Sequence, residues 1–343
     1  MEHQHIQQEL ERFSEMIDSF PTSDAVSKFY HIESIVSPIE YNLFKVFFGE
    51  EEYAKAMNLV LEAQEAIKKC KLGDLEEGYN KFESVKTASE KLSEKAHQYV
   101  KLYYLSGLAY YYFRKKDFDK AISYTVQEIQ ETEVIEQMGA TSLHYRRTGH
   151  VLNLIKIFKV TNNTQKAIPL FLGTLSYLLN GDSTLIPLGN WNSDLLNFIP
   201  YVRQRCFDIF FIDAVDTLIH FQADEELKNT LIEKIFMQIP DFEPQNNNQA
   251  MHYNWLYLQR QFYQKKNYEE FIKDCSEFCQ MPFDNSFDSL KLSLLANIIK
   301  VSQTHLKGTI LQQQLIGKIN NFIQTKLASP DHLKNNVCHL IIE

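Results

Sequence analysis

The sequence predicts an all-α protein, and three observations lead to this prediction. The 343 residues include only 11 Gly and 9 Pro, and long segments repeat apolar residues with the period of a helix. The sequence has no runs of Val, Ile and Thr with alternating polarity, which would indicate strands. Polar breaks recur between the apolar segments at a near-constant interval. The chain is therefore expected to form successive helical hairpins.

The segment LYYLSGLAYYYFRKKDFDKAISY shows one such hairpin. Leu105, Leu108 and Tyr112 fall at i, i+3 and i+7 and form one apolar stripe of a helix. The charged sequence RKKDFD interrupts this pattern, and a second stripe begins after it. Asp117 or Asp119 is expected to cap the second helix. The segment is therefore interpreted as two antiparallel helices joined by a tight charged turn.

Comparable breaks recur near positions 73, 116, 162, 223, 266 and 307. Subtracting neighbouring positions gives intervals of about 43, 46, 61, 43 and 41 residues, and such a period is typical of stacked helical hairpins. The longest interval contains NGDSTLIPLGNWNSD, residues 180–194, which is rich in Gly, Asn, Ser and Pro. This stretch is interpreted as an inserted loop.

Three parts are expected along the chain. Residues 1–48 are predicted to be an N-terminal helical cap or an effector segment, because IQQELERFSEMIDSF has the pattern of an amphipathic helix. Residues 49–330 are predicted to form the solenoid of helical hairpins, and residues 331–343 a C-terminal tail. A solenoid needs a covered terminal repeat, which favours the cap, and the effector alternative stays open.

Composition restricts the classes of partner. The net charge of -9 disfavours nonspecific nucleic-acid binding, because no overall positive field attracts phosphates. Five scattered cysteines, an odd number, argue against a disulfide framework and favour a reducing cytoplasm. Cys275 and Cys279, spaced i, i+4, are interpreted as buried thiols. The polar N-terminal sequence lacks a signal peptide, and no apolar run reaches 18 residues, so no membrane span is expected.

Leu105, Leu108, Ala109, Tyr112 and Ala121 occupy the spacing of large, small and aromatic residues that characterises the tetratricopeptide repeat. Two later sets repeat it in part: Val151, Leu154, Phe158, Ala167 and Phe171, then Trp255, Leu258, Phe262 and Phe271. The later sets depart from the pattern, with Ile155 and Gln259 where the family has a small residue. The chain therefore resembles the tetratricopeptide-repeat superfamily, which implies a right-handed α-α superhelix that binds a peptide or protein in its concave groove. In length and in its N-terminal helical segment it is also similar to Rap-type peptide-sensing regulators.

The resemblance places a set of aromatic and polar side chains on the groove face of the first helices. These are Tyr103, Tyr110, Arg114, Asn153, Lys156, Lys159, Tyr257 and Arg260. Asn pairs with peptide backbone, Lys and Arg pair with carboxylates, and Tyr covers apolar side chains. The sequence thus favours a non-enzymatic protein that binds a peptide or protein partner in the cytoplasm, without a cofactor. The partner and the oligomeric state are left open.

Two alternatives remain at this stage. One is a Rap-type regulator whose groove senses a signalling peptide and whose N-terminal helices act on a target protein. The other is a metal-dependent enzyme that uses Asp213, Asp216 and His220, which fall at i, i+3 and i+7 of a predicted helix. Against an enzyme, the sequence contains no phosphate-binding glycine loop, no G-x-S-x-G and no H-E-x-x-H motif.

Overall fold

The computed structural model describes residues 2–22, 44–195, 200–220, 224–239, 243–244, 246–281, 285–329 and 331–339. These residues contain helices, turns and loops but no strand, so the predicted all-α class is confirmed. The longer helices are α1 (Glu2–Met16), α2 (Glu50–Leu72), α3 (Leu75–Ser89), α4 (Glu94–Arg114), α5 (Phe118–Gln137), α6 (His144–Val160), α7 (Thr164–Asn180), α8 (Pro200–His220), α9 (Glu225–Gln238), α10 (Asn247–Arg260), α11 (Tyr268–Gln280), α12 (Asp288–His305), α13 (Ile310–Lys326) and α14 (Asp331–His339).

The chain divides into two compact units. The central unit comprises Tyr30–Phe207, and the terminal unit combines Met1–Phe29 with Asp208–Glu343. The first and the last parts of the sequence therefore belong to the same unit. The boundaries expected from the sequence at residues 48 and 330, between the cap or effector segment, the solenoid and the tail, stay predictions.

In the central unit, helices α2 to α7 pack in chain order, each against the next, and α2 also contacts α4. Their apolar faces meet in a continuous core that includes Ala63 of α2, Phe82 of α3 and Tyr99 of α4. Gly107 lets α4 approach α3 closely, because a Cβ at this position would overlap the ring of Phe82. Consecutive helical hairpins are thus the basic element of this unit.

The turn between α4 and α5 combines the end of one helix with the start of the next. Lys116 has a φ of 60°, in the left-handed region, and the N–H groups of Lys116 and Asp117 donate to the carbonyls of Phe113 and Tyr112. This is the Schellman ending of a helix. The Asp117 carboxylate then accepts the N–H of Lys120 at 3.3 Å and caps α5. Asp117 is therefore the cap that the sequence predicted as one of two candidates.

The same arrangement recurs at other predicted breaks. Asn162 (φ 53°) is followed by Asn163, which caps α7, and Lys266 (φ 52°) is followed by Asn267, which caps α11. The breaks near 73, 116, 162, 266 and 307 are all confirmed as connections between helices, while the break near 223 lies partly outside the described residues. A left-handed residue before a polar cap is thus a repeated local signal in this chain.

Helix α1 belongs to the terminal unit, where it packs against α11, α12 and α13. Ile6, Leu10, Phe13 and Ile17 are all buried, which confirms the predicted apolar face. Lys318 of α13 holds the end of α1 by donating to the carbonyl of residue 14 at 2.7 Å. The segment SDAVSKFYHIESIV, which the sequence predicts to form a second helix before residue 48, lies outside the described residues.

Helix α12 runs through the middle of the terminal unit, in contact with α1, α10, α11, α13 and α14. Its residues from Asp288 to Ile299 are buried on every face, as expected for a helix enclosed by others. Part of the predicted C-terminal tail forms α14, whose Leu333 and Val337 are buried. None of the described helices is both long enough and apolar enough to cross a bilayer.

Candidate functional site

Three of the residues predicted to line a groove lie on α4 in the central unit. Tyr110 is half-buried and Arg114 is exposed, and Arg114 Nη1 donates to the Tyr110 hydroxyl at 3.0 Å. Tyr103 is only 7% exposed, belongs to the core of the central unit, and has the Arg146 guanidinium 4.8 Å from its ring centre. Tyr110 and Arg114 are therefore available to a partner, whereas Tyr103 is enclosed.

Three more predicted residues lie on α6 of the same unit. Asn153 is exposed, Lys156 is half-buried and Lys159 is buried. The accessible pair Asn153 and Lys156 therefore represents the predicted surface on this helix. Lys159 contributes to the interior of the helical packing.

The last two predicted residues lie on α10 in the terminal unit. The Arg260 guanidinium stacks over the ring of Phe236 at 3.9 Å, and its Nε donates to Gln264 at 2.9 Å. The ammonium group of Lys265 lies 4.9 Å from the ring centre of Tyr257. Tyr257 and Arg260 belong to the terminal unit, whereas the six predicted residues on α4 and α6 belong to the central unit. They therefore form a separate candidate surface.

The residues of the metal-enzyme alternative lie on α8. Asp213 is buried and Asp216 is half-buried, while the side chain of His220 lies outside the described part of the structure. The described residues contain no group of three or more His, Cys, Asp or Glu side chains placed to hold a metal ion. This alternative stays a prediction.

The terminal unit contains a polar pocket that the sequence did not predict. Helix α12 supplies Ser293, Asn297 and Lys300 at i, i+4 and i+7, which places them on one face. The other polar lining residues are Lys228 of α9, Gln259 of α10 and Tyr263 of the π-helical turn that continues α10. Leu218, Ile219 and Ala296 form the apolar wall.

Side-chain amides and hydroxyls form a connected network in this pocket. Asn297 Nδ2 donates to Gln259 Oε1 at 2.8 Å, and Gln259 Nε2 donates to Ser293 Oγ at 3.1 Å. The Trp255 indole also donates to Ser293 Oγ, at 2.9 Å, and the Tyr263 hydroxyl donates to Asn297 Oδ1 at 3.3 Å. Because each buried side chain orients the next, the network is pre-organised.

Two ammonium groups share one carboxylate at the edge of this network. Lys228 Nζ and Lys300 Nζ each lie 2.6 Å from the same oxygen of Glu225. Lys228 is 2% exposed, and burial lowers its pKa to about 8, against the opposing hydrogen bond from Glu225. Burial alone would raise the pKa of Glu225, but the hydrogen bonds from both lysines outweigh it and hold that pKa below its ordinary value. The group is therefore charged at neutral pH, with two cations and one anion.

The sequence does contain a signal for this pocket. Ser293, Asn297 and Lys300 interrupt the apolar run SLLANIIKV at helical spacing, and a polar stripe inside a buried helix needs partners. Gln259 stands where the repeat pattern has a small residue, and it is the residue that meets this stripe. The pairing itself joins positions 38 residues apart, which a local pattern cannot show.

Comparisons of the chain with protein-family models, curated proteins and solved structures give no match. The proposed function therefore rests on the geometry of these surfaces and of the polar pocket.

Proposed function

We propose that the protein is a non-enzymatic, tetratricopeptide-like binding module of the cytoplasm that holds a peptide or protein partner, as a scaffold or regulator. The observation that carries the proposal is the set of accessible polar side chains in the central unit: Tyr110 and Arg114 of α4, and Asn153 and Lys156 of α6. Amides bind peptide backbone, and ammonium groups bind carboxylates. The recurring turns that join the helices support the repeat interpretation.

The proposal is tested by selecting peptides from a random displayed library on the immobilised full-length protein. Selected peptides are then titrated by fluorescence anisotropy against wild type and against three variants, each of which alters one predicted surface: Arg114→Glu, Lys156→Glu and Arg260→Glu. Lys55→Glu, an exposed change on α2, is the matched control.

We expect at least one surface variant to weaken binding by about tenfold, the effect of losing one hydrogen bond to a charged group. The control is expected to bind as wild type does. The proposal is rejected if no peptide is enriched, or if every enriched peptide binds all three folded variants with wild-type affinity.

One contact favours the Rap-type alternative as a second candidate. Helix α12 carries the polar pocket, and at its C-terminal end His305 Nδ1 lies 3.0 Å from His3 Nδ1 of α1. This alternative requires that ligand binding along α12 change the packing of α1. The alternative predicts that a selected peptide alters hydrogen exchange of residues 2–22, and unchanged exchange in the saturated complex argues against it.

A further inference from the structure

We infer that a proton shared by Glu136 and His144 fastens the loop of residues 181–193 to the central unit, so that loss of this proton as pH rises loosens the loop. The Tyr177 hydroxyl on α7 donates to the carbonyl of Asn192 in the loop at 2.9 Å. The same hydroxyl lies 2.6 Å from His144 Nε2. The other ring nitrogen of His144, Nδ1, lies 3.2 Å from Glu136 Oε1. One chain of hydrogen bonds thus runs from α5 through α6 and α7 to the loop.

The geometry of this chain requires the shared proton. A carbonyl oxygen only accepts, so the single hydrogen of the Tyr177 hydroxyl lies toward Asn192. The hydroxyl oxygen then accepts from His144, which places a hydrogen on Nε2. A second hydrogen lies between His144 Nδ1 and the Glu136 oxygen, because two facing lone pairs would repel at 3.2 Å. The pair of Glu136 and His144 therefore holds one proton more than a neutral imidazole and a carboxylate hold together.

The pair is buried among other ionisable side chains of the central unit. Those that face the pair or Tyr177 are Glu133 of α5, Arg147 of α6, and Arg203 and Cys206 of α8. Arg147 Nη1 donates to Glu136 Oε2 at 3.2 Å, so it holds the carboxyl group by the oxygen that His144 does not use. Burial raises the pKa of Tyr177 well above its ordinary value. Tyr177 therefore stays a neutral hydroxyl, and the gain or loss of a proton falls on the pair.

Release of the proton to water leaves the imidazole with one hydrogen for two neighbours. With this hydrogen on Nδ1, the bond to the Glu136 carboxylate remains and Nε2 becomes an acceptor. The Tyr177 hydroxyl then donates to His144 and no longer to Asn192. With the hydrogen on Nε2, the Nδ1 lone pair would face the carboxylate. Because a hydrogen bond to a charged acceptor is roughly twice as strong as a neutral one, the first arrangement is favoured and the loop loses its bond.

The loop responds to this change because few side chains attach it to the helices. Residues 181–193 contain no helix or strand, and most of them are exposed or half-buried. Arg147 donates to the carbonyls of residues 188 and 190, whereas Tyr177 holds the loop at Asn192. Trp191 lies between these attachments, with its ring centre 5.2 Å from that of Tyr177. Loss of the tyrosine bond therefore loosens the part of the loop that carries Trp191 and leaves the arginine bonds in place.

Hydrogen exchange of residues 181–193 in the full-length protein tests this inference. Protection factors, which correct for the intrinsic effect of pH on exchange, are compared at about pH 5.5 and about pH 8.5, a range that contains the titration of ordinary imidazole groups. Wild type is expected to lose about fivefold in protection over this range, the effect of one neutral hydrogen bond. In Tyr177→Phe the protection is expected to be low at both pH values. Tyr124→Phe, which removes a hydroxyl from a half-buried ring on α5, is the matched control and should respond to pH as wild type does.

Two further measurements separate this effect from a general loss of stability. Glu128 is a second buried acid on α5, and Glu128→Gln is expected to keep the response of the loop because Glu128 is not part of the hydrogen-bond chain. The ¹H–¹⁵N signal of the Trp191 indole, assigned by comparison with Trp191→Phe, is expected to shift in wild type with the same midpoint pH as the loss of protection. This second measurement needs no change at Tyr177, so it decides the question if Tyr177→Phe does not fold.

The inference is overturned if the protection of residues 181–193 in wild type is equal at both pH values or rises with pH. It is also overturned if folded Tyr177→Phe keeps the wild-type response, if Glu128→Gln loses it, or if the Trp191 signal and the protection change at different pH values.

Discussion

The guanidinium of Arg147 lies 4.1 Å from the ring centre of Trp191, and this contact joins α6 to the loop that follows α7. Arg147 is fully buried, and it donates to the carbonyl of Asn190 at 2.7 Å. On its other side it pairs with Glu133 at 2.9 Å and Glu136 at 3.2 Å. Residues 181–193, without helix or strand, are thus held against α5 and α6 by one enclosed cation.

Gly189 of this loop has no room for a side chain. Its φ is +74°, and a Cβ would overlap the Glu133 carboxylate and the Arg147 guanidinium. Gly189→Ala is expected to lower the free energy of unfolding by about 2 to 4 kcal/mol, from left-handed backbone strain and overpacking. Chemical denaturation measures this change, and hydrogen exchange should rise in residues 181–193. Gly149→Ala, on α6 with open space around it, is the control and should stabilise by about 1 kcal/mol. Equal stability of Gly189→Ala and wild type would contradict this account of the loop.

The sequence predicts the local features of this fold, but it does not predict those that depend on contacts between distant positions. The turn at Lys116 and Asp117 was predictable, because charged and polar residues break an apolar period within a few positions. Tyr103 was predicted to face a groove, but it packs in the core, and the Arg146 guanidinium, 43 positions later, lies over its ring. The polar pocket similarly requires Gln259 and Asn297 to meet across two helices. Helical period predicts which face a residue occupies, but not what covers that face.

The turn between α4 and α5 gives a matched pair of substitutions. Lys116 has a φ of 60°, whereas the adjacent Lys115 is right-handed with a φ of -73°, and both side chains are exposed. Lys116→Gly is expected to stabilise the protein by about 0.5 to 1 kcal/mol, because glycine adopts the left-handed region without a Cβ clash. Lys115→Gly removes the same charge and is expected to destabilise by about the same amount. Urea denaturation of both variants measures the two changes in the free energy of unfolding. Changes of the same sign would show that charge, not backbone conformation, determines the stability of this turn.

The five cysteines are expected to differ strongly in reactivity. Cys70, Cys206, Cys275 and Cys279 are buried, while Cys338 on α14 is half-buried. Burial raises the pKa of Cys275 well above its ordinary value, and the thiolate is the reactive form. Iodoacetamide under native conditions should therefore modify Cys338 first, as followed by peptide mass spectrometry. All five should react in denaturant. Comparable native rates at Cys338 and Cys275 would refute the predicted burial of the Cys275–Cys279 pair.

A buried acid on α5 should make stability fall as pH rises. Glu128 is 2% exposed and lies 3.2 Å from His150 Nε2. Burial raises the pKa of Glu128 to about 8, against a hydrogen bond from Ser106 and the charge of Arg146. Burial, together with Arg146, lowers the pKa of His150 to about 3. Both partners are therefore neutral at pH 7.

The sign of the effect follows from proton counting. The unfolded chain releases the Glu128 proton above a pKa of about 4.5, whereas the folded chain keeps it up to a pKa of about 8. The stability from Glu128 is therefore complete below pH 4.5 and is lost as pH rises to 8. His150 has the opposite sign but contributes below pH 6.5. Lys228, whose pKa burial lowers to about 8, also has the opposite sign but contributes near and above pH 8, so Glu128 dominates in the range from 6.5 to 7.5. There the free energy of unfolding should fall by about 1.4 kcal/mol per pH unit, and Glu128→Gln should remove this slope while the exposed Glu76→Gln keeps it. Parallel profiles of wild type and Glu128→Gln would mean that Glu128 is already ionised in the folded protein.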